Sequence, residues 1–106
     1  MSFEHEPYTI LVHKKFAKVI DKKLPAQLKK VLNRKLNYLK DNPRHPSLNT
    51  KALNVAESWC HQRGIDEVFE FRINMGFRCV FYVSHARREI ILAFVGNHDD
   101  IKKHVQ

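Results

Sequence analysis

The sequence has little glycine, proline or cysteine, and it has no long apolar run. Its three glycines and four prolines exclude a collagen-like or linker-rich chain. Its two cysteines, Cys60 and Cys79, form no C-x-x-C pair, and no apolar run approaches the ~20 residues of a membrane span. The first six residues are acidic and lack an apolar stretch, so we expect no signal peptide, a cytoplasmic location and two free thiols.

Acidic residues are scarce relative to basic ones. Nineteen Lys and Arg residues outnumber eleven Asp and Glu residues, which gives a formal net charge of +8 at pH 7 with the seven His residues counted as neutral. With 43% hydrophobic residues in 106, the chain is predicted to fold as a single globular domain over residues 1–106. The basic excess favours a polyanionic partner: nucleic acid, an anionic membrane surface or an acidic protein.

The apolar pattern predicts an α+β fold. A β-branched run predicts a strand at Tyr8–Val12, and helical periodicity predicts an antiparallel helix pair, Lys14–Leu24 and Pro25–Asp41. The polar stretch that follows is predicted to be irregular, with a short strand around Trp59. The remaining predicted elements are three strands and a short tail helix: Glu67–Ile73, Phe77–Val83, Glu89–Val95 and Ile101–Val105. We therefore expect a two-helix hairpin on one face of an antiparallel sheet of about four strands.

The residue pattern of the two predicted strands around Gly76 indicates the register in which they pair. Apolar residues alternate along both strands, and the two apolar sets must share one face because strand side chains alternate with a period of two. A two-residue loop would mix the faces, whereas a three-residue loop, Asn74–Gly76, keeps them in phase. This loop places Arg72 opposite Arg78, and it calls for Gly76 in the left-handed conformation.

Two guanidinium groups are thus expected to face each other on the sheet face away from the helices. Like charges directly opposite each other destabilise a sheet, so this pair favours an anion-binding surface. The alternative is that the nearby acidic residues Asp66, Glu67 and Glu70 offset two ordinary surface arginines.

The same residues carry a family resemblance. The run from Phe69 to Tyr82 resembles the central hairpin of the RelE/ParE toxin superfamily: a strand with basic residues, a turn with glycine, and then aromatic-Arg-x-x-aromatic. The ending Phe94–Asp99 is similar to the last strand of that family, with its glycine and a following basic residue or histidine. The strand–helix–helix order upstream matches as well, and it implies a RelE-like α+β fold.

The resemblance implies a toxin of a type II toxin–antitoxin pair. A RelE-like toxin is a ribosome-dependent mRNA endoribonuclease that inhibits translation, whereas a ParE-like toxin poisons DNA gyrase. A third alternative is an inactive RelE-fold binding domain, because the acidic residue Glu70 lies among the arginines. The implied partners are an antitoxin with an acidic segment, the ribosome and mRNA, but no membrane. The toxin would then be a monomer or part of a hetero-oligomer with its antitoxin.

Carried over by position, the family's site residues fall on a small set of side chains. The implied catalytic residues are Arg72, Arg78 and His98, and the implied RNA-binding residues also include Lys51, Tyr82 and His104. RNA cleavage without a metal needs a base, a cation for the phosphate charge and an acid for the leaving oxygen. Arginine suits the second task, and histidine suits either proton task. We predict no metal and no other cofactor, because no second set of ligands accompanies His98 and the acids after it.

Overall fold

The computed structural model describes residues 8–41 and 45–104, except for the side chain of His104. Within these residues, five strands and four α-helices follow each other: β1 (Thr9–Val12), α1 (Lys14–Lys23), α2 (Ala26–Asp41), β2 (Lys51–Ala52), α3 (Glu57–Gln62), β3 (Glu67–Arg72), β4 (Arg78–Ser84), β5 (Glu89–Gly96) and α4 (His98–His104). A short 3-10 helix, Pro46–Leu48, precedes β2. The sheet order is β1-β5-β4-β3-β2. The predicted α+β class is confirmed, with five strands in the sheet and β1 parallel to β5.

The helix pair forms where the helical periodicity predicts it. His13 caps α1, because its Nδ1 accepts the Lys15 backbone N–H at 3.1 Å. Leu24 ends α1 in an extended conformation, and α2 begins one residue after Pro25. The two helices bury their apolar stripes against one face of the sheet. The main core contains Phe16, Leu24, Leu32, Leu39, Phe71, Phe81, Leu92 and Val95.

The β3–β4 hairpin has the predicted register, with Arg72 opposite Arg78. The prediction for Gly76 is wrong, because Gly76 does not have a positive φ. The Asn74 side chain closes the turn instead: its Oδ1 accepts the N–H of Gly76 at 2.9 Å and that of Phe77 at 2.7 Å. A side chain that bonds two successive backbone amides holds this loop without a left-handed residue.

The other face of the sheet is only partly open. A second apolar cluster, which includes Cys60, Val68, Val80 and Ile101, packs α3 and α4 against it. The expectation of a face without helices is therefore wrong. The predicted strand around Trp59 is also wrong, because this residue lies in α3.

Both cysteines are buried free thiols. Burial raises the pKa of the Cys79 thiol well above its ordinary value, so this residue stays neutral and fills space in the core. None of the helices within residues 8–41 and 45–104 has both the length and the apolar character that crossing a membrane requires.

Candidate functional site

The end of the β3–β4 hairpin brings two arginines together on the face away from α1 and α2. Arg72 is the last residue of β3 and Arg78 is the first residue of β4, and the two pair across the ladder. Opposite residues of an antiparallel pair project from the same face, so both guanidinium groups belong to one surface. The Arg78 side chain is 20% exposed and is thus fixed against the sheet.

Glu70 is the acidic member of this cluster; the sequence places it among the arginines as a residue that could offset their charge, but not among the site residues. It lies two residues before Arg72 and therefore on the same face, yet its side chain is only 7% exposed. The Arg78 guanidinium Nη1 donates to Glu70 Oε1 at 2.9 Å. The sequence did contain a signal, because a carboxylate at this phase of β3 must share the face of Arg72. Its burial depends on β2 and could not be read from the strand itself.

The start of α4 brings His98 to the same arginine. His98 Nδ1 lies 3.4 Å from Arg78 Nη1, so one guanidinium contacts both a carboxylate and an imidazole. The helix start is fixed by a reciprocal cap. Asn97 Oδ1 accepts the Asp100 N–H at 2.8 Å, and Asp100 Oδ2 accepts the Asn97 N–H at 3.1 Å.

A β-bulge in β5 sets where this helix begins. Val80 pairs with Phe94 but Phe81 pairs with Leu92, so Ala93 is the extra residue. The bulge shifts the phase of the strand, and Gly96 then lies directly opposite Arg78. At Gly96 a Cβ atom would lie 2.7 Å from Asp100 Cβ and 2.8 Å from Phe94 Cε2. The absence of a side chain at Gly96 is therefore what allows α4 to pack so close to Arg78.

Lys51 completes the cationic surface. It lies in β2 directly opposite Glu70. With Asn49 it lines a shallow cleft whose other walls are Glu70, Arg72 and Arg78. Three cations surround one buried carboxylate here, so the cleft keeps a positive balance after the ion pair is formed.

The structure separates Tyr82, another of the predicted RNA-binding residues, from this cleft. Tyr82 lies on the same face four residues along β4, about 13 Å from Arg78 by strand rise. Its ring packs edge-on against Trp59, with ring centroids 5.6 Å apart. Burial raises the pKa of the Tyr82 phenol, which keeps it protonated at neutral pH. His104 ends α4, and its side chain lies outside the described residues.

Tyr82 instead belongs to a groove of about 620 Å³ between α1, α3 and β5. The groove has apolar walls that include Val19, Ile65, Ile91 and Phe94, and cationic groups from Lys15 and Arg63. The Arg63 guanidinium stacks on the Trp59 ring, 3.8 Å from its centroid.

The cleft groups can perform acid–base chemistry on an anion. Glu70 supplies a carboxylate, His98 supplies an imidazole, and the guanidinium between them can hold a phosphate by paired hydrogen bonds. Among the described residues, no three His, Cys, Asp or Glu side chains are arranged to hold a metal ion.

Comparison with known proteins relates the fold to that of bacterial and archaeal toxins. Neither a family model nor a curated protein matches the sequence. The archaeal RelE–RelB complex from Pyrococcus horikoshii OT3 is 15% identical over 87% of this chain and 96% of that chain, with a TM-score of 0.67. A copper-bound mutant toxin from Helicobacter pylori is 23% identical over 89% and 98%, with a TM-score of 0.63.

A free-state variant of E. coli toxin RelE, with two arginines replaced by alanine, is 18% identical over 93% of this chain and 92% of that chain. Its TM-score is 0.62. The chain therefore has the RelE-like toxin fold, as the resemblance in the sequence implies.

Proposed function

We propose that this protein is the toxin of a toxin–antitoxin pair and that it cleaves mRNA on the ribosome without a metal ion. The RelE-like fold supports the toxin role. The observation that carries the cleavage chemistry is the contact of one guanidinium, that of Arg78, with a buried carboxylate at 2.9 Å and an imidazole at 3.4 Å.

In the proposed reaction, Glu70 takes the proton of the ribose 2′-hydroxyl, and the 2′-oxygen attacks the adjacent phosphorus. Arg72 and Arg78 hold the charge that develops on the phosphate oxygens. The bond from phosphorus to the 5′-oxygen breaks, and protonated His98 gives its proton to that oxygen. The products are a 2′,3′-cyclic phosphate and a 5′-hydroxyl.

The contact between Arg78 and His98 supports this division of roles. The guanidinium can only donate, so His98 Nδ1 is the accepting atom when this contact is a hydrogen bond. Glu70 is paired with Arg78, and Arg72 and Lys51 line the same cleft, so cations surround the carboxylate that accepts the proton in this proposal.

Neither alternative function, gyrase inhibition or an inactive binding domain, requires all of the groups found at the cleft. A gyrase inhibitor without its own chemistry needs neither a buried carboxylate nor an imidazole at its anionic site. In an inactive domain, Glu70 would only neutralise one arginine, whereas the cleft also contains Lys51 and Arg72.

Controlled expression in bacteria with pulse labelling of protein and DNA synthesis tests the choice. The proposal predicts that protein synthesis stops first while DNA synthesis continues. Early arrest of DNA synthesis would favour the gyrase alternative, and normal growth with a folded product would favour the inactive domain.

Gly96→Ala is expected to lower cleavage about 100-fold, because the new Cβ displaces the first turn of α4 and moves His98 away from Arg78. The measurement is the cleavage rate together with thermal unfolding. Gly76→Ala is the matched control, since a Cβ there meets only Asn74 Oδ1 at 3.8 Å and φ is not positive. Wild-type cleavage by Gly96→Ala would contradict the proposed role of His98.

The groove between α1, α3 and β5 is where we expect an acidic, amphipathic segment of the antitoxin to bind. Its apolar walls match an apolar stripe, and the charges of Lys15 and Arg63 match carboxylates. Co-expression with the open reading frame beside this gene is expected to restore growth and to yield a complex.

Ile91→Asp is expected to weaken that complex at least about 30-fold, because it removes an apolar contact and repels an acidic segment. The affinity is measured by titration with the purified antitoxin. Ala86→Asp, in the exposed turn between β4 and β5, adds the same charge elsewhere and is expected to have little effect. Equal effects of the two substitutions would contradict binding in this groove.

A further inference from the structure

The positive charge of the protein is concentrated in the two-helix layer. Residues 14–41, which contain α1 and α2, include ten basic and two acidic residues. The net charge of this segment is therefore +8, which equals the formal net charge of the whole chain. All other residues together include nine basic and nine acidic residues and are therefore balanced. The proposed cleavage site lies in the balanced part, on the opposite face of the sheet.

Few cations of this layer have a partner within the fold, although Lys23 Nζ lies 5.7 Å from the centroid of the Phe94 ring. Lys29 pairs with Asp21 at 3.6 Å, and Lys35 Nζ donates to the Ser47 carbonyl at 2.6 Å. Within the described part of the chain, the remaining exposed cations of the helices contact no carboxylate: Lys14, Lys15, Lys18, Lys22, Lys23, Lys30, Arg34 and Lys40.

Several of these residues are four positions apart, as Lys18 and Lys22 are, or Lys30 and Arg34. Like charges at this spacing lie one above the other on a helix and destabilise it. The chain thus carries repulsion that its own fold does not relieve, and a polyanion bound to this surface would relieve it.

The outer face of the layer also lacks apolar anchors. Among the described residues, the large hydrophobic side chains that are exposed are Leu11, Val12 and Met75, and none of them lies in α1 or α2. Protein interfaces and amphipathic membrane helices depend on such anchors, whereas binding to a phosphate backbone depends on Lys and Arg. Charge without apolar contact favours a nucleic-acid backbone.

We propose that the outer face of α1 and α2 is a second RNA-binding surface, which holds the phosphate backbone of a folded RNA. It lies on the other side of the sheet from the cleft of Glu70, Arg72 and Arg78, so it anchors the protein to RNA other than the strand in the cleft. The binding is independent of base sequence and steep in salt, and it does not depend on the cleavage chemistry.

The test uses an RNA hairpin with 2′-O-methyl riboses, which cannot be cleaved, and measures its affinity at several salt concentrations. The helix variant combines Lys18→Gln, Lys22→Gln, Lys30→Gln and Arg34→Gln. The control variant combines Arg87→Gln, Arg88→Gln, Lys102→Gln and Lys103→Gln. These eight side chains are all exposed, and both variants have a net charge of +4, so general electrostatic attraction is matched.

We expect the helix variant to lose about three units of the salt slope and about 100- to 1,000-fold in affinity at 0.1 M salt, and the control variant to lose much less. Equal losses would overturn the proposal, because net charge alone would explain them. The proposal would also be overturned if the helix variant kept hairpin affinity but lost binding to phosphatidylserine vesicles or to polyglutamate. Since the hairpin is not cleaved, none of these results depends on the activity of the cleft.

Discussion

Arg78→Ala is expected to reduce mRNA cleavage about 100-fold or more, which corresponds to about 2.7–4 kcal/mol of transition-state stabilisation. Among the described residues, Arg78 is the side chain that contacts both proposed proton-transfer groups, so the substitution removes the charge beside the phosphate and the link between Glu70 and His98. The measurement is the rate of cleavage of a defined mRNA on purified ribosomes.

The same substitution affects stability, and this must be measured alongside. It leaves the Glu70 carboxylate buried without its arginine, which costs about 1–3 kcal/mol or more of unfolding free energy. Arg78→Lys keeps the charge but not the paired hydrogen bonds. Compared with Arg78→Ala, it is expected to restore most of the unfolding free energy but little of the cleavage rate. Full cleavage by a folded Arg78→Ala protein would contradict the proposed site.

His98→Gln is expected to lower cleavage about 100- to 10,000-fold, the usual contribution of a general acid or base. Glutamine retains a polar side chain at the start of α4 but cannot transfer a proton. His98 is exposed, so the unfolding temperature is expected to stay close to that of the wild type. An RNA with a better leaving group at the 5′-oxygen checks the role, because it needs no acid and is expected to restore most of the rate.

His61→Gln is the matched control for His98→Gln. His61 is also exposed, and it lies in α3, where its near neighbour is Glu57 at 3.9 Å and not the arginine pair. The two substitutions are chemically identical, so equal losses of cleavage would show that histidine replacement acts through something other than the cleft.

The part of the site that the sequence predicts follows from short-range rules. The period of two and the length of one loop fix Arg72 opposite Arg78, and this register is confirmed. The C-terminal helix is also predicted, at Ile101–Val105, although it begins three residues earlier, at His98. These features need no knowledge of distant residues.

The parts that the sequence does not predict depend on distant contacts. The six-residue helix α3 follows Ala56, which offers no side-chain cap, so the helix has no start signal and is held by packing of Cys60 and Trp59. The bulge at Ala93 is visible only when β5 is paired with β4. The burial of Glu70 depends on a two-residue strand far away in the sequence. A pattern within one strand contains none of this information.

Cleavage by this site is tested by the masses of the RNA fragments from a defined mRNA incubated with ribosomes and the purified protein. We expect fragments that end in a 2′,3′-cyclic phosphate and partners that begin with a 5′-hydroxyl, and we expect none with Glu70→Gln, which keeps the shape of Glu70 but cannot accept the proton. Intact mRNA with the wild-type protein, or equal cleavage by Glu70→Gln, would contradict cleavage by Glu70, Arg78 and His98.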